Sequence, residues 1–313
     1  MNSYPVLSIV VPTYNEASNI ELHRERIRDT MTDLIERNEI SDYEYIAIDN
    51  CSTDGTREII HKLSIEDPRM RPIFNRFNYG PVISPFIALT KSKGDYAVVI
   101  AADLQEPPEL IANMVSEIIK DPECDAVIAV KRKESAALSP MQGMRRLYYR
   151  ILKVGANRVI SGFSGFGLYS RRCIEAMDIL AGADPSLRML LPRTGLRAKA
   201  IYYDHQRRHH GESSYSILSY TTEALRTISR HTNIAKKIST AMIFLSLLSI
   251  GILAPVIVAI RLLHGVIVAP GFTFAVVFFL AWITPVFIAL AVILDKLEQI
   301  ETARIVSFFK NGK

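Results

Sequence analysis

IAADLQEPPEL, residues 100–110, is the stretch on which the fold turns. It closes an apolar run, Tyr96-Ala97-Val98-Val99-Ile100, with the length and character of a buried strand. Asp103, Gln105 and Glu106 follow that run directly, and Pro107-Pro108 stop it. Polar groups placed at the carboxyl end of a buried strand serve a ligand in open α/β sheets, which bind outside those ends. A helix over Pro108–Ile119 is expected next, with proline near its start, where the missing N–H is no loss.

The same strand-to-helix step recurs on both sides of this stretch. Leu7-Ser8-Ile9-Val10-Val11 is a short apolar strand ending at Pro12, and Ile20, Ile27, Met31, Leu34 and Ile35 then recur at helical spacing. Tyr45–Ile48 reads as a second strand, Thr56–Leu63 as a helix, and Met70–Phe74 as a third strand. Pro81–Lys91 reads as a helix kinked near Pro85, and Ala126–Val130 as the fifth strand. This alternation predicts an α/β head built on a doubly wound, mainly parallel sheet.

Polar clusters end three of the strands. Thr13-Tyr14-Asn15-Glu16 follows the first, Asp49-Asn50-Cys51-Ser52-Thr53-Asp54-Gly55 the second, and Asp103-Leu104-Gln105 the fourth. One such cluster is what an ordinary turn or helix cap would look like. Three on one sheet edge, each with acidic residues, point to a ligand site. The glycine-rich phosphate loops are absent, since nothing fits G-x-G-x-x-G or G-x-x-x-x-G-K-S/T. A nucleotide held here needs side chains, and its diphosphate a metal. Mg²⁺ takes one or two carboxylates together with phosphate oxygens, and Asp103 is the candidate carboxylate.

The 313 residues are unevenly apolar. Ile238 to Ile260 and Phe272 to Leu294 are nearly charge-free runs of about 23 residues, each enough to cross roughly 30 Å of hydrocarbon. Two buried core helices are the alternative. Arg226, Arg230, Lys236 and Lys237 precede the first run, and Lys296, Arg304, Lys310 and Lys313 follow the second. By the positive-inside rule both termini are expected in the cytoplasm. No secretory signal is expected at Met1–Pro5. Residues 1–213 are thus expected as a cytoplasmic head, 214–237 as an amphipathic interfacial helix, 238–295 as two transmembrane helices and 296–313 as a cytoplasmic tail. A helix packed on the head's core is the alternative for Tyr215–Ile234. Gly143–Gly155, with Arg145, Arg146, Tyr148, Tyr149 and Arg150, is either a second basic, membrane-facing helix or a structural one. Cys51, Cys124 and Cys173 lack metal-type spacing and suit a reducing cytosol. The net charge of +5 is read as a basic collar at anionic headgroups, with no nucleic-acid partner. The oligomeric state stays open, a homo-oligomer included.

Val11-Pro12-Thr13-Tyr14-Asn15-Glu16, Asp49-Asn50-Cys51-Ser52-Thr53-Asp54-Gly55-Thr56 and Asp103-Leu104-Gln105-Glu106-Pro107-Pro108 resemble the family 2 inverting glycosyltransferases of the GT-A fold. More narrowly, the chain is similar to the polyprenyl-phosphate glycosyltransferases. That group contains dolichyl-phosphate mannose synthase and bacterial undecaprenyl-phosphate sugar transferases. The likeness extends to Asn78-Tyr79-Gly80, Gly167-Leu168-Tyr169-Ser170-Arg171, the Arg208-x-x-Gly211-x-Ser213 stretch and the two apolar runs.

The resemblance implies donor-nucleotide binding by Pro12, Thr13, Tyr14, Glu16 and Asp49. It implies a divalent cation, Mg²⁺ or Mn²⁺, at Asp103 and Gln105, and an acceptor phosphate on Lys131, Arg208 and Ser213. Asp103, Gln105 and Arg208 would carry the catalysis. The chain departs from the family pattern in places. Ala101 stands where D-x-D-L-Q has its first acid, and Asn50 replaces the second acid of D-D-x-S. Gly165 and Gly167 replace an aspartate and an arginine of G-D-F-R-L, and Lys131 stands for an arginine.

Loss of a carboxylate base matters less when the nucleophile is a phosphate monoester. With a second pKa near 6 it is already largely dianionic at pH 7. The enzyme then has to position two anions and offset their repulsion. The expected reaction is transfer of a sugar from a nucleotide sugar to a polyprenyl phosphate lipid at the cytoplasmic membrane face, feeding envelope glycan synthesis. Transfer to a hydroxyl acceptor, which would need a base, and a binding role without catalysis are the rivals.

Overall fold

The computed structural model describes residues 4–132, 160, 162–181, 185–204 and 206, with isolated helical positions between Trp282 and Ile300. The chain divides into two compact units. One is Met1–Arg145 with Arg158–Ser216 and Thr302–Lys313; the other is Arg146–Asn157 with Ile217–Glu301. The elements below belong to the first unit.

Seven strands form one sheet: β1 (Val6–Thr13), β2 (Asp42–Asp49), β3 (Met70–Phe74), β4 (Tyr96–Val99), β5 (Ala126–Lys131), β6 (Phe163–Ser170) and β7 (Ala198–Tyr203). Their order is β3-β2-β1-β4-β6-β5-β7. β6 runs antiparallel to both β4 and β5, and every other pairing is parallel. The doubly wound, mainly parallel sheet is therefore present. The reversed β6 between β4 and β5, and β7 at the edge, were not among the sequence expectations.

Among the described residues six helices cover the sheet: α1 (Ile20–Glu36), α2 (Thr56–Glu66), α3 (Gly80–Thr90), α4 (Leu110–Lys120), α5 (Arg171–Leu180) and α6 (Leu187–Thr194). α4 begins two residues later than expected from Pro108. The Ile111 N–H bonds the Pro108 carbonyl at 3.0 Å, so the prolines form the turn that leads into the helix.

Strand alternation sorts the core into two layers. Leu7, Ile9 and Val11 face the layer that α1 and α4 fill with Ile27, Met31, Leu34, Met114, Val115 and Ile118. Val10, Ile46, Ile48, Ala97 and Val99 face the layer filled by Phe86 and Leu89 of α3, Ile174 and Met177 of α5 and Leu190 of α6. Because both faces are covered, β1 and β2 are buried nearly throughout, as central strands of parallel sheets are. α1 stops in a Schellman arrangement. Asn38 adopts φ 56°, its N–H bonds the Ile35 carbonyl, and the Glu39 N–H bonds that of Leu34.

Among the described residues no helix is long and apolar enough to cross a membrane. The two expected spans lie outside them, save for isolated helical positions of the second.

Candidate active site

The carboxyl ends of β1, β2, β4, β5 and β7 share one rim of the sheet with the start of β6. β1 has β2 on one side and β4 on the other. Its end is therefore the switch point at which the chain reverses its winding direction, where a crevice opens in folds of this kind. The three polar clusters of the sequence all stand there.

The loops after β1 and β2 brace each other. The Asn15 N–H bonds Ser52 Oγ at 2.9 Å, and Asn15 Oδ1 accepts the Thr53 N–H at 2.9 Å. Ala17 N–H bonds Asp54 Oδ2 and Glu16 N–H bonds Thr56 Oγ1. Asn15, Cys51 and Leu104 adopt φ between 55° and 66°, one in each of the three rim loops. Left-handed backbone in non-glycine residues persists where the surroundings over-determine it, and it gathers at functional sites.

The five expected donor residues divide in two. Tyr14 is exposed and Pro12 partly so. Thr13 is buried, with its hydroxyl on the Ile48 carbonyl at 3.0 Å. Glu16 is also buried and accepts the Asn19 side-chain amide at 2.6 Å. Asp49 is fully buried, accepting the Ser52 N–H at 3.2 Å and Arg57 Nε at 3.0 Å. Arg57 also bonds the Asn75 carbonyl and lies 5.1 Å over the Phe74 ring. Sequence reasoning missed Arg57. The available signal was a cation in the first turn of α2, where the helix dipole disfavours one unless a partner stands by. Asn50 is saturated too. Its Oδ1 receives Asn75 Nδ2, the Tyr79 N–H and Ser84 Oγ, while its Nδ2 donates to Asn78.

At the end of β4 the loop turns back on itself through left-handed Leu104, which is fully buried. Asp103 is half-buried at the rim, and its Oδ1 accepts the Gln105 N–H at 3.1 Å. Its other oxygen has no hydrogen-bond partner among the described residues. Those residues contain no group of three or more His, Cys, Asp or Glu side chains suited to a metal. The half-buried Asp103 carboxylate, with one oxygen not engaged by the described residues, is the kind of donor a hard divalent ion takes together with phosphate oxygens and water.

Beneath this loop lies a second missed residue, Glu106. Its carboxylate is buried, accepting the Ala101 N–H at 3.0 Å and the Ser164 hydroxyl at 2.9 Å. Burial pushes its pKa up to about 7 against those two hydrogen bonds; the Asp103 charge adds to the rise and Lys131 opposes it. His23 of α1 is fully buried and bonded through Nδ1 to the Tyr45 hydroxyl at 2.9 Å.

Lys131 ends β5 on the same rim, where its N–H bonds the Gly162 carbonyl. Arg208 and Ser213 lie outside the described residues, as do Arg207 and the two histidines after it. The described chain reaches Gln206, two residues short of Arg208, and the Gln206 N–H bonds the Gln105 carbonyl at 3.1 Å. The segment leaving β7 is thus tied directly to the loop that carries Asp103.

Sheet and rim together define a doubly wound α/β protein with a candidate ligand site at its switch point. The family model described as Glycosyl transferase family 2 matches residues 8–177. The chain belongs to that family, and it spans just under two thirds of the length of the first curated relative it matches. It is 30% identical over 218 residues to "Uncharacterized glycosyltransferase YkcC" of Bacillus subtilis (strain 168), a match spanning 69% of this chain and 65% of that protein. It is 27% identical over 255 residues to the undecaprenyl-phosphate 4-deoxy-4-formamido-L-arabinose transferase of Pseudomonas fluorescens (strain Pf0-1), covering 73% and 69% of the two chains. Among solved structures, the mannosyltransferase PcManGT from Pyrobaculum calidifontis in complex with GDP-Man and Mn²⁺ superposes with a TM-score of 0.46 at 22% identity. That match covers 76% of this chain and 65% of the other.

Proposed function

We propose that this chain is an inverting, membrane-bound glycosyltransferase that moves a sugar from a nucleotide diphosphate to a polyprenyl phosphate, undecaprenyl phosphate in a bacterial envelope. The observation that carries this reading is the Gln206–Gln105 hydrogen bond. It ties Gln206, two positions before Arg208 in the sequence, to the loop that bears Asp103, which supports a reading in which the two anionic substrates meet there. The relative named for undecaprenyl phosphate supports the choice of acceptor.

On this reading each substrate takes one side of the rim. The β1 and β2 loops form the donor side, where Tyr14 and Pro12 offer exposed surface. Thr13, Glu16 and Asp49 act there by holding those loops in shape. On this reading Asp103 and Gln105 serve as ligands for Mg²⁺ or Mn²⁺ and Lys131 serves the acceptor phosphate, a role the family resemblance also gives to Arg208 and Ser213. A divalent ion, when bound, supplies positive charge to the leaving diphosphate.

A phosphate oxygen of the acceptor attacks the anomeric carbon and forms a new C–O bond. The bond from that carbon to the diphosphate breaks on the opposite face, and the nucleotide diphosphate leaves with the electron pair. No proton has to be removed from a dianionic phosphate, so the absence of an acid at Gly165 does not block the step. The cations Lys131 and Arg208 offset the approach of like charges.

Membrane attachment rests on the two apolar runs. It is supported by Trp282, Val286 and Ile293, which are helical, recur at four and seven residues and are each more than half exposed. That spacing puts them on one helix face. The active site then faces the cytoplasm with both termini.

The test is a screen of radiolabelled UDP-, GDP-, CDP- and dTDP-sugars with undecaprenyl phosphate and the full chain, read as chloroform-soluble product. Asp103→Ala should lower transfer by about a hundredfold or more. Full activity of that variant would end the metal assignment.

A further inference from the structure

Glu106 takes no part in the substrate contacts proposed above, yet its carboxylate joins two parts of the rim. Oε2 accepts the Ala101 N–H at 3.0 Å, which closes the loop from Ala101 to Glu106 into a ring with Asp103 near its apex. Oε1 accepts the Ser164 hydroxyl at 2.9 Å, which ties that ring to the first residues of β6. Ser164 Oγ receives the Phe166 N–H at 3.4 Å, and the Gly165 carbonyl receives the Tyr169 hydroxyl at 2.7 Å. β6 pairs directly with β4, Gly167 opposite Val99. The tie therefore spans neighbouring strands at the point where β4 ends and pairing stops.

Two features show that the ring needs this closure. Leu104 is held left-handed inside it, a conformation a leucine does not keep unaided. The Asp103 side chain does not brace the ring across its width, because among the described residues its carboxylate meets only the Gln105 N–H. The ends of the ring are fixed by the Glu106 side chain on one side and, on the other, by the Gln206 N–H on the Gln105 carbonyl. Ala101 and Gly165, where the family pattern leads one to expect carboxylates, lie at the two places this side chain reaches: the Ala101 amide, and Ser164 beside Gly165.

We propose that Glu106 is a positioning residue. Its carboxylate closes the 101–106 loop and fastens it to β6, so that Asp103 and Gln105 are presented as ligands for a divalent ion bound with a diphosphate. The ion rests on the functional reading above; the closure of the loop does not. Two acceptor oxygens are what the Ala101 N–H and the Ser164 O–H require. A glutamine still accepts from Ala101 and can donate to Ser164 Oγ, whereas alanine leaves the Ala101 N–H unpaired.

Glu106→Ala, Glu106→Gln and Ser164→Ala are compared as full chains in detergent. Three quantities are measured: hydrogen exchange of the Ala101 amide without metal, the Mn²⁺ concentration for half-maximal transfer, and the melting temperature. Outer contacts of metal ligands typically govern affinity by 10–100-fold, so Glu106→Ala should raise the half-saturating Mn²⁺ about tenfold and speed Ala101 exchange by about as much. Glu106→Gln should stay within about threefold of the parent on both measures, and Ser164→Ala should fall between the two variants. The proposal is overturned if Glu106→Ala lowers only the melting temperature with the Mn²⁺ dependence unchanged. It is also overturned if glutamine is as damaging as alanine, which would make charge and not the tie the working feature. If the parent forms no lipid-linked product with any donor, the acceptor reading fails instead, and the Ala101 exchange rates alone decide whether Glu106 closes the loop.

Discussion

Burial and the Arg26 charge push the His23 imidazole down to about 3, with the Ala101 backbone pulling the other way. The unfolded chain therefore takes up a proton on acidification below its ordinary value of 6.5 that the folded chain refuses. Stability from this residue is present above pH 6.5 and is lost as the pH falls toward 3. Two pH units below 6.5 correspond to roughly 3 kcal/mol. Glu106 acts in the opposite sense, since its raised value makes its contribution full below 4.5 and lost as the pH rises through about 7. His23→Gln should cost stability at pH 7.5 and lose less than the parent on going to pH 4.5. Melting temperatures of both proteins across that range check this, and parallel curves would refute it. Asp103 and Gln105 stand out in the sequence as candidate site residues because they follow an apolar strand directly. Glu106 stands in the same stretch and was left without a role, because burial of its side chain is not written in the spacing.

Among the secondary elements, the join of β4 to β1 sets how the rim is presented. Gly94 opens β4, and a Cβ there would stand 2.6 Å from the Val6 carbonyl oxygen and 2.8 Å from Ser8 N and Oγ. Its own N–H bonds Ser8 Oγ at 2.8 Å, and Ser8 Oγ donates to Glu44 at 2.6 Å. Glu44 also accepts the Lys93 N–H and pairs with Arg71, so its carboxyl is held below the usual range although burial alone would raise it. Gly94→Ala should therefore destabilise by about 1–3 kcal/mol through overpacking, read as a lower melting temperature. This knot lies at the amino ends of the strands, so the protein that remains folded should keep its full transfer rate. An unchanged melting temperature would show that the β1–β4 join relaxes more readily than its contacts imply. β1 through β5 and the first four helices were readable from apolar periodicity. β6 was not, since Phe163-Ser164-Gly165-Phe166-Gly167 has glycines where a strand pattern wants side chains.

For the molecule as a whole, the reading requires one soluble and one bilayer-anchored anion at a single rim. Arg208→Ala should raise the KM for polyprenyl phosphate about tenfold or more, the usual cost of a lost hydrogen bond to a charged group, while donor affinity stays near the parent's. Kinetics with detergent-dispersed undecaprenyl phosphate and separate titration of the nucleotide sugar distinguish these effects. An equal loss in both would move Arg208 to the donor side.

The sequence by itself determined the alternating strands and helices, the three polar clusters and the two apolar runs. All of these are patterns over a few neighbouring residues, governed by periodicity and turn chemistry. The tertiary structure alone decided the reversed β6 between β4 and β5, the Asp49–Arg57 pair, the clasp of Glu106 on Ala101 and Ser164, and the bond from Gln206 to Gln105. Most of these join residues far apart in the chain, and the short ones depend on which side chains become buried. Partners of that kind follow from strand order and packing, which local spacing does not encode.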